Sequence, residues 1–514
     1  MVRGTTAGAH RAAAVAAAVS RRVIVYQTYF DTSRPCAQHR AGHRNKAMSL
    51  SGLSDSNKRE QINRNVDARK RSLSSYSQSV HSMSEKAKPQ VIVVTGPTAA
   101  GKTLVGIELA CKLNGEVVSA DSVQVYKGLN IGTGKVTEEA KRGIPHHLID
   151  IYKPEDDFSA GDFTRAARKC IAEIVQRGKT PIVVGGTGFY LRWLIYGIPG
   201  TPKSTELSIE KAKTTVCDAM KQVRDGMNRE MSSYEAWDVA VQVLRDLGDS
   251  KSADSIPRNN YYQLYRAIEI IQMTGTSKKS FQLPHVRTNT SEDLASTVPV
   301  DEIEEDSMSL EHLGYDVRGF VLSPPRIFLY EIIDKRVEEI MYSGILKECA
   351  LLAMKGLSSD SHSSTRAIGY RQCLQLFERV IARNRNENTP VTSEDIKDCL
   401  LAIMSATRNL ASKQLSWHRG DRMWKWHPCV KGQKRTVSIS DISEDILNVC
   451  QQPRDWPTEF DVDLSHVSKE EVKELRRFPP SLYKFRRERE LSDLKSIVDH
   501  LTSVIMNKDK ISSR

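Results

Sequence analysis

The sequence predicts an α/β fold in which a parallel sheet is flanked by helices, interrupted by an inserted helical domain and followed by a helical C-terminal part. Two observations predict the sheet and one predicts the insertion. Three short runs, Val91-Ile92-Val93-Val94, Glu116-Val117-Val118-Ser119-Ala120 and Thr180-Pro181-Ile182-Val183-Val184, are apolar and β-branched in the manner of strands buried on both faces. Each runs into a small or polar loop and then a helical pattern, and strands alternating with helices close most simply as a parallel, doubly wound sheet. From about 201 to 256 the chain turns helical and charged, with Lys203, Lys211, Lys213, Lys221 and Arg224 and no strand signal.

The first run feeds Gly96-Pro97-Thr98-Ala99-Ala100-Gly101-Lys102-Thr103, after which Leu104, Ile107, Leu109 and Leu113 recur at helical spacing. In such a strand, loop and helix the glycines let backbone N–H groups turn toward an anion. Lys102 adds a mobile positive charge, and the Thr103 hydroxyl can ligate Mg2+. These eight residues are the predicted phosphate site of a P-loop NTPase-like sheet, and ATP, GTP or a non-nucleotide diphosphate would all suit it. The second run ends at Asp121-Ser122-Val123-Gln124-Val125-Tyr126. A carboxylate there faces the same crevice as the phosphate loop, because ligands of open α/β sheets sit beyond the carboxyl ends of the strands. A helix cap explains Asp121 equally well. The third run enters Gly185-Gly186-Thr187-Gly188-Phe189-Tyr190.

Between the strands, His146-His147 reads as loop structure rather than a metal site, since adjacent histidines chelate poorly. Ser159 is expected to cap an amphipathic helix running through Val175. The stretch 283–313, rich in Ser, Thr and acids such as Asp301, Glu302, Glu304, Glu305 and Asp306, is expected to be a solvent-exposed insertion. A strand at Gly319-Phe320-Val321-Leu322 precedes a long helix from Arg326 carrying Asp334, Arg336 and Glu338. Thr365 to Gln372 opens a further helix, and Thr407 to Arg419 mixes basic, amide and aromatic groups that suit RNA or a surface helix with one buried Trp. Beyond Pro428 no role is read.

With 514 residues and 39% hydrophobic content the chain can hold several domains. A formal charge of +12 favours an anionic partner, nucleic acid first, although a basic tail alone gives the same total. No apolar run reaches membrane-spanning length, so a soluble protein with no membrane partner is expected. Nine cysteines without a C-x-x-C pair argue for a reduced compartment. The arginine-rich, acid-poor segment 1–89 reads as a disordered leader and transit peptide suited to import into a plastid or mitochondrion. The division is 1–89 leader, 90–200 core, 201–256 lid, 257–427 core continued and 428–514 tail.

Six ordered motifs resemble one family, the tRNA dimethylallyltransferases. They are Gly96 to Thr103, Ser119 to Tyr126, Gly185 to Tyr190, Arg266-Ala267-Ile268-Glu269, Arg366 to Gln372 and Lys413 to Arg419. Plant-type members look nearest, through Leu191-Arg192-Trp193, Asn259-Asn260-Tyr261-Tyr262 and Ser323-Pro324-Pro325-Arg326. Ser412-Lys413-Gln414 stands where members often read Lys-Arg-Gln, and the tail lacks the spacing of the zinc finger that some members carry, which resembles the bacterial form and implies a plastid (chloroplast) rather than mitochondrion or cytoplasm. The resemblance implies transfer of a dimethylallyl group from dimethylallyl diphosphate to N6 of the adenosine 3′-adjacent to the anticodon, by a monomer using Mg2+ held through Thr103. It implies Asp121 as general base or orienting acceptor, with Thr98, Thr103 and Arg336 also in the catalytic set and Thr187 positioning by hydrogen bond. It implies that the tRNA anticodon arm meets Asp121, Ser122, Val123, Gln124, Thr187, Gln263, Arg266, Arg366, Gly369, Tyr370, Lys413, Gln414, Trp417 and Arg419, with the helices of 201–256 closing over it. The alternatives are an adenylate dimethylallyltransferase acting on free nucleotides, a small-metabolite P-loop kinase and a non-catalytic RNA-binding module.

Overall fold

The structure is a computed structural model that describes residues 88–202, 204–227, 229, 231–256, 258, 260–281, 305–387, 389–430, 437–454, 457–485 and 487–512. The leader read over 1–89 lies outside these residues except for Lys88 and Pro89.

Six parallel strands form the sheet: β1 (Gln90–Thr95), β2 (Gly115–Ser119), β3 (His146–His147), β4 (Thr180–Val184), β5 (Asp316–Leu322) and β6 (Trp424–His427), in the order β3-β2-β4-β1-β5-β6. Alternation along each strand splits the core into two layers. Val91, Val93, Val118, Val183 and Val321 face one side, while Ile92, Val94, Val117, Ile182 and Leu322 face the other. The first side is covered by α2 (Ala160–Gln176) and α3 (Gly188–Tyr196), and the second by α1 (Lys102–Lys112). Ser159 caps α2 as expected, in a reciprocal box with Asp162.

Two edge strands depart from the sequence reading. His146-His147 forms strand β3 rather than a loop, and His147 Nε2 lies 2.7 Å from the buried Glu116 carboxylate, which Arg177 and Lys179 also bind. Three cationic or polar partners hold the Glu116 carboxyl down at about 2 despite its burial. β6 was not foreseen, because four residues with two tryptophans carry too short a pattern to read.

The insertion comprises α4 (Glu206–Asp225), α5 (Ser233–Asp246), α6 (Ser250–Ser255) and α7 (Tyr261–Thr274). Its own core joins Ala212, Val216, Trp237 and Leu244 to Leu264, Ala267 and Ile268. The inserted helical unit therefore takes in α7 and runs past the boundary at 256, because the apolar face of α7 packs on α4 and α5. Of the 283–313 stretch, 283–304 lies outside the described residues. The remainder docks on the core rather than standing in solvent: Asp306 Oδ2 accepts from Arg165 (3.2 Å), and Leu310 is fully buried.

Four helices complete the second half of the core: α8 (Arg326–Ser343), α9 (Ile345–Met354), α10 (Tyr370–Glu387) and α11 (Ser393–Ser416). The tail adds α12 (Ile439–Gln451), α13 (Lys469–Arg476) and α14 (Glu488–Ser512), and much of it is part of the core. Ile439, Ile442 and Ile446 of α12 pack with Val105 and Leu109 of α1, while Leu491, Leu494 and Val498 of α14 join the opposite layer. Buried charges fasten it further. Asp334 of α8 pairs with Arg408 of α11 (3.0 and 2.5 Å) and accepts the Ser481 N–H (2.9 Å), and Arg408 donates to Phe478 O (2.7 Å). Glu338 accepts the backbone N–H groups of Tyr483, Lys484 and Phe485. Among the described residues no helix is long and apolar enough to cross a membrane.

Removing Asp334 strands a buried guanidinium, so Asp334→Ala is expected to destabilise the fold by about 3–5 kcal/mol in urea unfolding. A loss below about 1 kcal/mol would contradict this account of the tail's attachment.

Candidate active site

Parallel strands bring the loops after β1, β2 and β4 to one edge of the sheet. After β1, Gly96 and Gly101 take positive φ (137° and 83°), as does Ala99 (66°), and the chain enters α1. No side chain caps α1, so its leading N–H groups and the positive end of its dipole are offered to an anion. Thr103 stands half-buried in the first turn.

Lys102 Nζ donates to Pro97 O (2.8 Å), folded back over the loop. Burial lowers its pKa to about 8; Asp121 opposes the shift, and Arg336 adds to it by repulsion. Asp121, at the end of β2, and Arg336, on α8, therefore both come near enough to act on Lys102 at the start of α1. Arg336 lies against Gly134, where a Cβ would come within 2.0 Å of its Nη2. A side chain at 134 would displace that guanidinium from its place, and the positive φ of 61° also favours glycine there.

Asp121 caps a turn rather than a helix, its Oδ1 accepting from Val123 N (2.9 Å) and Gln124 N (3.2 Å). Thr187 joins the next loop to this turn: its hydroxyl accepts the Ser122 N–H (3.2 Å) and donates to Ser122 Oγ (3.4 Å). Gln124 accepts from Ser119 Oγ and donates to Thr133 O, both at 3.3 Å, and Val123 packs against the core. The turn is thus seated from both sides.

The other expected RNA contacts separate into two groups. Lys413 and Trp417 are exposed at the end of α11, and Trp417 meets the exposed Phe189 edge-on (6.0 Å), with Trp193 4.8 Å beyond. Gln263 is exposed at the start of α7, and Arg366 is exposed with one bond to Ser363 Oγ. The remainder make internal contacts. Arg266 binds Ser204, Pro202 O and the buried Glu269, fastening the segment before α4 to α7. Tyr370 is fully buried, and its hydroxyl donates to Glu348 (2.6 Å), whose carboxylate also accepts the N–H groups of Asn130, Ile131 and Gly132. Gly369 sits in a turn (φ 94°), and α10 begins at Tyr370 rather than at Thr365. Gln414 bridges Thr98 and Gly186, and Arg419 binds Ser465 of the tail. Sequence patterns report which side chains can bind phosphate, not whether a neighbour already holds them.

Sequence reasoning also passed over His418. It is buried at 3.2 Å from Thr95 Oγ1, and burial together with nearby Lys102 pulls its pKa down to about 3, so it is neutral at the foot of the phosphate loop. Only its place inside the Lys413 to Arg419 block pointed to it. Among the described residues no group of three or more His, Cys, Asp or Glu is placed to hold a metal ion. The side chain that would take part in holding Mg2+ is Thr103, half-buried in the first turn of α1, with the remaining ligands from water and a bound phosphate.

Residues 124–421 match the family model described as IPP transferase. The chain is 39% identical over 350 residues to tRNA dimethylallyltransferase 9 of Arabidopsis thaliana, covering 66% of this chain and 71% of that protein. It is 35% identical over 339 residues to the tRNA dimethylallyltransferase of an Exiguobacterium species, covering 66% and 90%. To tRNA dimethylallyltransferase 1 of Trichlorobacter lovleyi it is 32% identical over 339 residues, covering 66% and 93%.

The lowered Lys102 pKa has a measurable consequence. Anion binding favours the charged form, so above about pH 7, where an alkyl diphosphate is itself fully ionised, its affinity is expected to fall as pH rises through about 8, by up to about tenfold per unit. Titration calorimetry across that range checks it, with Lys102→Arg expected to stay level; a wild-type profile that does not fall would refute the assignment.

Proposed function

The chain belongs to the IPP transferase family, and from that premise we propose that it transfers a dimethylallyl group from dimethylallyl diphosphate to N6 of the adenosine 3′-adjacent to the anticodon in tRNA, giving N6-isopentenyladenosine and diphosphate. The observation that carries the reading is the shared sheet edge at which the loop bearing Lys102 meets the Asp121 turn, itself held by Thr187 from the loop after β4, with Arg336 within electrostatic reach of Lys102: cations for a departing diphosphate and a carboxylate for the acceptor.

As the bond between the allylic carbon and its oxygen breaks, negative charge gathers on the leaving diphosphate while the carbon becomes cationic. The N–H groups of the loop and of α1, together with Lys102 and Arg336, stabilise that charge. Mg2+ held through Thr103 would supply further charge neutralisation when bound. Lys102 leaves its contact with Pro97 O to reach the anion. The N6 lone pair is delocalised into the adenine ring, so the amine needs an acceptor at its N–H as it attacks. Asp121 commits Oδ1 to its own turn, and Oδ2 accepts the proton. Thr187 and Ser122 fix that turn. The target base leaves its stack to enter the crevice, at a few kcal/mol.

A tRNA acceptor is favoured over a free adenylate by the exposed Lys413 and the Phe189, Trp193 and Trp417 aromatic group, since phosphate contact and base stacking are what an anticodon loop requires. The arginine-rich leader makes a plastid our proposed site of action, which import of a leader–reporter fusion tests.

Incubation with labelled dimethylallyl diphosphate and either tRNA or AMP is expected to label tRNA; label in AMP alone would move the reading to the adenylate enzyme. Asp121→Ala is expected to lower turnover by about 10^2 to 10^4 with tRNA affinity nearly intact, and near-normal turnover would remove its role as base. Lys413→Ala is expected to weaken tRNA binding and reduce the salt slope by about 1, and an unchanged slope would exclude a phosphate contact.

A further inference from the structure

A single carboxamide joins the phosphate loop to the loop beside Asp121. Gln414, on the last turn of α11, accepts the Thr98 N–H at Oε1 (2.7 Å) and donates from Nε2 to Gly186 O (3.0 Å). Thr98 lies midway along the phosphate loop, and Gly186 precedes Thr187, whose hydroxyl holds Ser122 next to Asp121. The side chain thus spans from the donor's cradle to the support of the acceptor's carboxylate. Both of its bonds go to main chain, so the link does not depend on any other side chain's rotamer. Lys413 and Trp417, on either side of Gln414 in sequence, are exposed, whereas Gln414 is half-buried and uses its donor and acceptor inward.

We propose that Gln414 is a positioning residue for prenyl transfer, setting the donor loop against the Gly186-Thr187 loop and thereby the approach of the allylic carbon to the acceptor nitrogen, rather than a tRNA contact. The proposal rests on the prenyl-transfer reading and deepens it. The two loops belong to neighbouring strands β1 and β4, whose pairing ends at Val94 and Val184. Beyond that point no ladder holds the loops in register, and Gln414 supplies the tie. Reacting groups misplaced by about 1 Å can lose about 10^2 in rate, so a tie of this kind acts on turnover more than on binding.

The test uses the full-length protein with Gln414→Met, which keeps the side-chain length but neither hydrogen bond, and Gln414→Glu, which keeps an acceptor for Thr98 N–H and turns an oxygen toward Gly186 O. At saturating tRNA, Gln414→Met is expected to lose about 30- to 100-fold in kcat, with tRNA affinity and its salt slope unchanged and a melting temperature near wild type. Gln414→Glu is expected to fall between the two. A fall in tRNA affinity with kcat preserved would make Gln414 an RNA contact, and kcat unchanged per folded molecule would make it merely structural; either overturns the proposal. Binding of dimethylallyl thiodiphosphate, measured without acceptor, separates the two layers of inference. If wild type prenylates no acceptor but Gln414→Met still binds this analogue several-fold more weakly, the prenyl-transfer reading fails while the loop-positioning role stands. If binding too is unchanged, both fail.

Discussion

The structure depends on the parallel pairing of β1 between β4 and β5. Val94 lies opposite Val184 on one side and Phe320 on the other, and main-chain pairing on both flanks fixes where the strand stops and the phosphate loop begins. Because all neighbours run the same way, the loops after β1, β2 and β4 open on the same edge. A one-residue slip of β1 would exchange Val91 and Val93 for Ile92 and Val94 between two dry layers and turn the loop away from its partners. The two-layer core is thus what aims the loop.

The electrostatics of the crevice follow from this placement. Burial lowers the Lys102 pKa, Asp121 opposes that shift, and Arg336 adds a smaller repulsion. A diphosphate bound as proposed would relieve the repulsion of Arg336 on Lys102. Behind the loop, His418 has been desolvated to neutrality and adds no third charge. The cationic character is concentrated where a leaving group would sit.

Mechanical support comes from far along the chain. Glu348 gathers three backbone N–H groups and the Tyr370 hydroxyl beneath the loop that bears Gly134, and Gly134 in turn makes room for Arg336. Asp334 and Glu338, two residues to either side of Arg336 on α8 and so about one turn apart, are sunk in the core and tie down the tail through Arg408 and the main chain of 481–485. Buried carboxylates recur here as collectors of backbone N–H groups, a use that satisfies both partners where water is excluded. The C-terminal segment therefore braces the helix that carries a site cation, and its Ser465 holds Arg419 at the end of α11.

By itself the sequence determined what is local: the β-branched runs as strands, the glycine-rich turn feeding a helix N-terminus, the Ser159 cap, and the residue types able to hold phosphate, base and RNA. These depend on neighbours within a few positions, and composition reports them directly. Tertiary structure alone decided which polar groups remain available. Tyr370, Arg266, Gln414 and Arg419 have the chemistry of RNA contacts, yet each is engaged by a partner that no short-range pattern can announce; Gln414 and Thr98 are 316 positions apart. The same reason explains α7, whose amphipathic face reads alike whether it packs on the sheet or on the lid, and β3 and β6, too short to show a period and formed only because a longer strand offers them an edge. Periodicity names the side of an element that must be buried, and only the folded chain says against what.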